Sequence, residues 1–138
     1  YYRKVHENVM FIDANNKHGG IRATNPEQWK WLKGGLENST EDHIVLILPK
    51  PIFGNDGFKD PLEAELLHKL LVEAGETGKT VWVIHGGNSN KTEIRDGVRY
   101  IQYDNRAVEN EENIKGIQAI EFIVNGEDIS YQINPIFK

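Results

Sequence analysis

The run Ile44-Val45-Leu46-Ile47-Leu48 contains no polar residue and is bounded by Asp42 and Pro49. A strand with one wet face would alternate apolar and polar side chains. An unbroken β-branched and leucine-rich run instead reads as a central strand buried on both faces. Two similar runs flank it: Asn8-Val9-Met10-Phe11-Ile12-Asp13, mostly buried and ending in a polar turn, and Val81-Trp82-Val83-Ile84. What separates the three runs decides the architecture.

Both separators start like helices. Asn25-Pro26-Glu27-Gln28 places a capping residue, a proline at the first helical position and an acid in the first turn. Trp29, Leu32 and Leu36 then recur at helical spacing, while Gly34-Gly35 imply close packing or an early end. Pro61 opens a second helix, with Leu62, Leu66, Leu67, Leu70, Leu71 and Ala74 as a broad apolar face and Gly75 and Gly78 at its end. Ala14 to Thr24 and Pro49 to Asp60 read as loops. The order strand, helix, strand, helix, strand implies a mainly parallel sheet with right-handed crossovers.

Beyond Ile84 the pattern changes. Glu93-Ile94-Arg95, Asp96-Gly97 and Val98 to Tyr103 form a hairpin signal, since Asp-Gly suits the tight turn between paired strands. A charged stretch from Asp104 to Asn113 follows, then a second alternating hairpin, Ile117 to Val124 and Ile129 to Ile133, around Asn125-Gly126. The expected fold class is α/β, a sheet of mainly parallel strands with packed helices, ending in antiparallel hairpins.

At 138 residues the chain fits one domain, residues 1–138, with room for a real core. A net charge of -5 argues against a nucleic-acid partner, which calls for a basic surface. No apolar run reaches the length of a membrane span. The absence of cysteine removes disulfides and thiolate metal sites. The start Tyr1-Tyr2-Arg3-Lys4 is neither an initiator methionine nor a signal peptide, so the chain is expected to begin inside a larger protein.

The strand Val81 to Ile84 runs into His85-Gly86-Gly87-Asn88, read as a turn, and the chain returns through Asp96-Gly97 to Val98-Arg99-Tyr100-Ile101. Together with Tyr1-Tyr2, Asn8 to Asp13, Gln28-Trp29-Lys30-Trp31-Leu32, Ile44 to Phe53 and the closing hairpin from Phe122, this resembles the second half of calcineurin-like metallophosphoesterases. The resemblance implies half of a two-sheet β-sandwich and a parent reaction of phosphate mono- or diester hydrolysis. Such enzymes hold two divalent metal ions about 3.5–4 Å apart, with a bridging water or hydroxide as nucleophile. The family's ligands arrive as Asp-x-His, Gly-Asp and Gly-Asn-His in a first half that this sequence does not include. A lone His and Gly-His-x-His follow in the second.

Here Pro49 stands where the lone His is expected. Counting back from Gly97, the other four positions fall on His85, Gly86, Gly87 and Asn88. At most one of the three histidines remains. Asn88 offers a neutral carbonyl oxygen, a poor substitute for imidazole on zinc or iron. The metal candidates are therefore His85 and Asn88, and the phosphate-binding candidates are Gly86 and Gly87, through a nest of backbone amides. Against these stand simpler roles, a turn histidine bonded to backbone and a plain turn.

Other motifs carry less. Gly75-Glu76-Thr77-Gly78-Lys79-Thr80 is two residues short of a P-loop and precedes a strand, so it reads as a helix-end turn. Asp13, Asn15, Asn16 and His18 form a polar loop after a strand, a usual place for functional groups, although Asp13 reads as a turn cap. Asn55-Asp56-Gly57 with Asp60 reads as a turn rather than a calcium loop. His6 and His43 lie in charged or amphipathic surroundings, and His68 is placed at the edge of the second helix's apolar stripe. Trp29, Trp31 and Trp82 read as core, with one of Trp29 and Trp31 facing outward.

The expected function is that of a catalytically degenerate metallophosphoesterase-like domain, a structural or interaction unit of a larger exported bacterial protein, extracellular or on the cell surface. It needs no cofactor as it stands, and two divalent metal ions if the whole domain is active. The alternatives are the C-terminal half of an active phosphoesterase and a cell-surface or ligand-binding module. Half of a two-sheet fold would leave an apolar sheet face, to be covered by the remainder of the parent chain or by a second copy.

Overall fold

The computed structural model describes residues 1–104 in full and residues 118–125 and 128–135 as strands. β1 (Tyr2–His6) turns back through Glu7-Asn8 into β2 (Val9–Asp13), an antiparallel pair with His6 opposite Val9. A short helix, α1 (Ile21–Thr24), leads into α2 (Pro26–Glu37), and β3 (His43–Leu48) follows, parallel to β2. α3 (Pro61–Glu76) then carries the chain to β4 (Thr80–Gly87), parallel to β3. β5 (Lys91–Arg95) and β6 (Val98–Asp104) form an antiparallel hairpin in which β6, not β5, lies beside β4 and parallel to it.

The result is a six-stranded mixed sheet of order β1-β2-β3-β4-β6-β5, parallel through its centre and antiparallel at both edges. The expected α/β class is found. β7 (Gln118–Asn125) and β8 (Asp128–Pro135) pair antiparallel as a separate two-stranded sheet, the second expected hairpin. Its turn residue Gly126 and the rest of the charged stretch, 105–113, lie outside the described residues, while Asp104, expected in that loop, closes β6.

Local chemistry sets the two long helices. Asn25 Oδ1 accepts from the Glu27 amide at 3.1 Å and Asp60 Oδ1 from the Leu62 amide at 3.0 Å, each just before a proline in the first turn. Both caps satisfy a backbone donor that the helix leaves unpaired. α2 runs through Gly34-Gly35 to Glu37, and Gly35 is buried because Arg3 of β1 packs on it: a Cβ there would sit 3.2 Å from Arg3 Nη1. Close packing, not an early end, accounts for that glycine. Gly75 lies inside α3, and Gly78, with φ of 91°, takes the left-handed position past its end.

Met10 and Ile12 of β2, Leu46 and Leu48 of β3, and Val83 of β4 form one core with Leu32, Leu36, Leu67 and Leu71 of the helices. The odd-numbered neighbours in β2 and β3, Val9 and Val45, join Trp82, Ile84 and Ile101 on the opposite face. These five are also buried, within the single chain. Among the described residues, then, the sheet face opposite the helices is buried at these five positions.

Several local expectations shift. The apolar face of α3 is narrower than the leucine pattern implies: Leu62 is 74% and Leu66 50% exposed, while Ala64, Leu67, Leu71 and Ala74 are buried. The buried stripe is completed by Glu63 and His68, each of which has a hydrogen-bond partner that makes its burial tolerable. His43, also buried, pairs its Nδ1 with Thr80 Oγ1 at 2.6 Å. Neither Trp29 nor Trp31 stands fully outward; Trp31 is covered by the Arg3 guanidinium at 5.4 Å and by Tyr1 at 4.8 Å. Replacing Leu67 by alanine should cost about 2–5 kcal/mol of stability, and Leu62 by alanine less than about 0.5 kcal/mol. Urea unfolding of the two variants reads the difference directly, and equal losses would contradict this orientation of α3.

Candidate functional site

In a parallel sheet with helical crossovers, the usual ligand position is the crevice outside the carboxyl ends of the strands. β2, β3, β4 and β6 all end on that edge. At the β2 end, the polar loop singled out in the sequence is occupied with holding itself together. Asn16, buried, donates from Nδ2 to the Lys50 carbonyl at 2.8 Å and accepts from the Lys50 amide at 3.1 Å, which ties the β2 loop to the β3 loop. Gln28 of α2 makes the same two-way bond with the backbone of Asn15, at 2.6 and 2.8 Å. Asp13 is half-buried and His18 exposed.

The β4 end is different. His85 and Gly86 do not form the expected turn: β4 stays paired with β3 as far as Leu48 opposite His85, and with β6 as far as Gly87 opposite Asp104. A parallel partner on each side keeps the backbone extended. Neither Gly86 nor Gly87 has a positive φ. Their amides thus point alternately to the two sides of the strand and do not converge into an anion-binding nest. Asn88 lies past the strand and is exposed.

The glycine at position 87 answers to a neighbour. A Cβ on Gly87 would collide with Cδ of Gln102, whose side chain crosses the glycine. Gln102 Nε2 donates to the Ser89 carbonyl at 3.0 Å and to Ser89 Oγ at 3.3 Å, and Asn90 Oδ1 accepts from the Asp104 amide at 2.8 Å. The β4–β5 connection is therefore fastened to β6 by two side-chain clamps.

A pocket of about 150 Å³ opens on the helix side of this edge. His85, Tyr100 and Gln102 form its floor, Pro51 and Phe53 a wall, and Lys91 and Glu93 of the edge strand its rim. Topology explains its place. β4 continues into β5 with no crossover helix, so among the described residues no helix covers this part of β6.

His85 is 7% exposed, and its Nδ1 lies 3.2 Å from the Gly86 carbonyl. A carbonyl only accepts, so Nδ1 carries the proton and Nε2 keeps its lone pair. Burial holds the imidazole pKa below its ordinary value, opposed by the Gly86 carbonyl; Lys91 lowers it further and Glu93 raises it. His85 is neutral at pH 7.

Behind the floor lies a chain the sequence did not reveal. His68, expected at a stripe edge, is buried with Nδ1 2.6 Å from the Tyr100 hydroxyl and Nε2 2.7 Å from Asp96 Oδ2. With Nε2–H donating to the carboxylate, Nδ1 accepts from the hydroxyl, and burial pushes the Tyr100 pKa up, so that proton stays. Phe53 packs edge-on against His68 and Tyr100, and the Arg95 guanidinium lies 4.1 Å over its ring. The arrangement fixes the pocket wall and orients Tyr100.

As a metal site the four sequence candidates contribute little together. His85 presents one imidazole nitrogen, the two glycines present no side-chain donor, and Asn88 does not line the pocket. Among the described residues no three of His, Asp and Glu gather into a metal-binding group.

Neither a family model nor a curated protein matches this chain.

His85 gives a pH dependence of definite sign. Its folded pKa lies below the unfolded one, so between the two values the unfolded state binds more protons and stability falls as pH falls. The loss begins below the ordinary histidine range, near 6.5, and ends below the folded value. Urea unfolding from pH 7.5 downward (about the span in which histidine titrates) should show a drop that His85→Gln removes; a variant with unchanged pH dependence would contradict it.

Proposed function

We propose that this chain is the C-terminal part of a metallophosphoesterase-like domain that no longer performs metal chemistry and serves as a structural or interaction unit of a larger exported protein. The reading rests on the order and spacing of the resembling sequence segments; the mixed α/β sheet and the separate two-stranded sheet are compatible with it in general terms. One observation carries the loss of chemistry. Where the resemblance expects a ligand loop, Gln102 lies across Gly87 and holds Ser89, so the loop is organised by an amide rather than by a metal ion. A neutral amide bonded to backbone needs no counter-charge and stays formed without a cofactor.

In this reading the partner is the rest of the parent protein, and the site of action is outside the cell. The full-length protein, purified without chelator, should carry substoichiometric metal by elemental analysis and hydrolyse neither p-nitrophenyl phosphate nor its diester above the buffer rate, with manganese or zinc added. Two bound metal ions per chain, with hydrolysis abolished by His85→Ala, would overturn the proposal. Gln102→Ala should lower stability by about 1 kcal/mol through the lost bonds to Ser89, in metal-free buffer.

A further inference from the structure

The pocket floor carries two residues that each have a hydrogen-bond acceptor to spare. His85 and Gln102 are register partners on adjacent parallel strands and share one face of the sheet. Each is 7% exposed. Each also has one polar atom engaged by the protein: His85 Nδ1 by the Gly86 carbonyl, and Gln102 Nε2 by Ser89. The other atom, Nε2 of His85 and Oε1 of Gln102, has no protein partner among the described residues. Both atoms open onto the pocket rather than lying sealed in the core, so they accept from whatever donor enters it, water included.

The charge at the rim restricts that donor. Lys91 and Glu93 bring opposite signs to the same strand face, two residues apart. The floor adds lone pairs and no positive charge. An anion such as phosphate would meet those lone pairs with one lining cation, Lys91, beside Glu93, whose carboxylate lies 4.0 Å from Arg95. A neutral ligand that carries hydroxyl groups meets no such conflict. One hydroxyl would donate to Nε2 and another to Oε1, while a third would exchange hydrogen bonds with Lys91 and Glu93. Pro51 and Phe53 supply an apolar wall for the C–H face of a ring. A cavity of about 150 Å³ accommodates a single six-membered ring.

We infer that this pocket binds a neutral, polyhydroxylated six-membered ring, a single sugar residue of a glycan, through hydroxyls that donate to His85 and Gln102. The inference does not rest on the proposed loss of metal chemistry. It concerns acceptors already present in the chain, and its failure would leave the metal measurements unaffected.

The test is a titration of the ¹⁵N-labelled protein, followed by amide chemical shifts, with the methyl glycosides of glucose, galactose, mannose and N-acetylglucosamine, and separately with inorganic phosphate. At least one glycoside should give saturable shifts at His85, Lys91 and Gln102, and phosphate should give none there. His85→Phe removes one acceptor and should weaken binding about tenfold, the scale of one lost hydrogen bond. Because a core variant can disturb folding, Glu93→Gln on the exposed edge strand serves as a second probe, and it should weaken the same glycoside while leaving the spectrum otherwise unchanged. Absence of saturable shifts with every glycoside, shifts confined to another part of the chain, or phosphate shifts at His85 and Gln102 would each overturn the inference.

Discussion

The constraint on which the rest depends is that the centre of the sheet is parallel. β2, β3, β4 and β6 run the same way, so each strand must be fed from the opposite edge, and both faces must be kept from water. Helices α2 and α3 return the chain twice and supply Leu32, Leu36, Leu67 and Leu71 to one face. On the other, Val45 and Trp82 are buried as well. Apolar burial at roughly 25 cal/mol per Å² makes this two-sided core the dominant favourable contribution, and it fixes which edge collects the strand ends.

That edge is where chemistry can be placed, and its character changes from one end to the other. Near β2 and β3, side-chain amides are consumed in crosslinks: Asn16 on Lys50, Gln28 on Asn15. Near the ends of β4 and β6, beyond the contact of α3 with Tyr100, no helix among the described residues covers the sheet. There the same residue types leave acceptors unused. His85 is held neutral by burial, with its Nδ1 committed to backbone, and Gln102 spends its donor on Ser89. The two together make an acceptor floor. Imidazole and amide oxygen so arranged favour hydroxyl donors over phosphate, and that polarity sets this pocket apart from the reaction class implied by the family resemblance.

Much of the fold was legible because its determinants are local. Asn25 and Pro61 announce their helices, the Ile44 to Leu48 run has no wet face, and Asp96-Gly97 occupies two consecutive left-handed positions, as its hairpin requires. What was not legible depends on distance in sequence. β1 has no buried residue to mark it, and its turn uses Glu7 at φ of 55° rather than a glycine. His68 finds Tyr100 and Asp96 about thirty positions away, so nothing near it signals burial. His85 was singled out, but as the start of a turn. Only the pairing of β4 with β6 shows that it lies in a strand opposite Gln102, a residue no motif contains.

The account of the site reduces to one protonation state: His85 neutral, with its proton on Nδ1 and Nε2 open to the pocket. Long-range ¹H–¹⁵N correlation spectra of the imidazole side chains distinguish the two neutral tautomers from each other and from the cation. At pH 7 the His85 ring should give the Nδ1–H pattern, with Nε2 at the shift of an unprotonated nitrogen. An Nε2–H tautomer or an imidazolium at that pH would contradict the account, since the floor would then offer a donor where a hydroxyl is expected to give its proton.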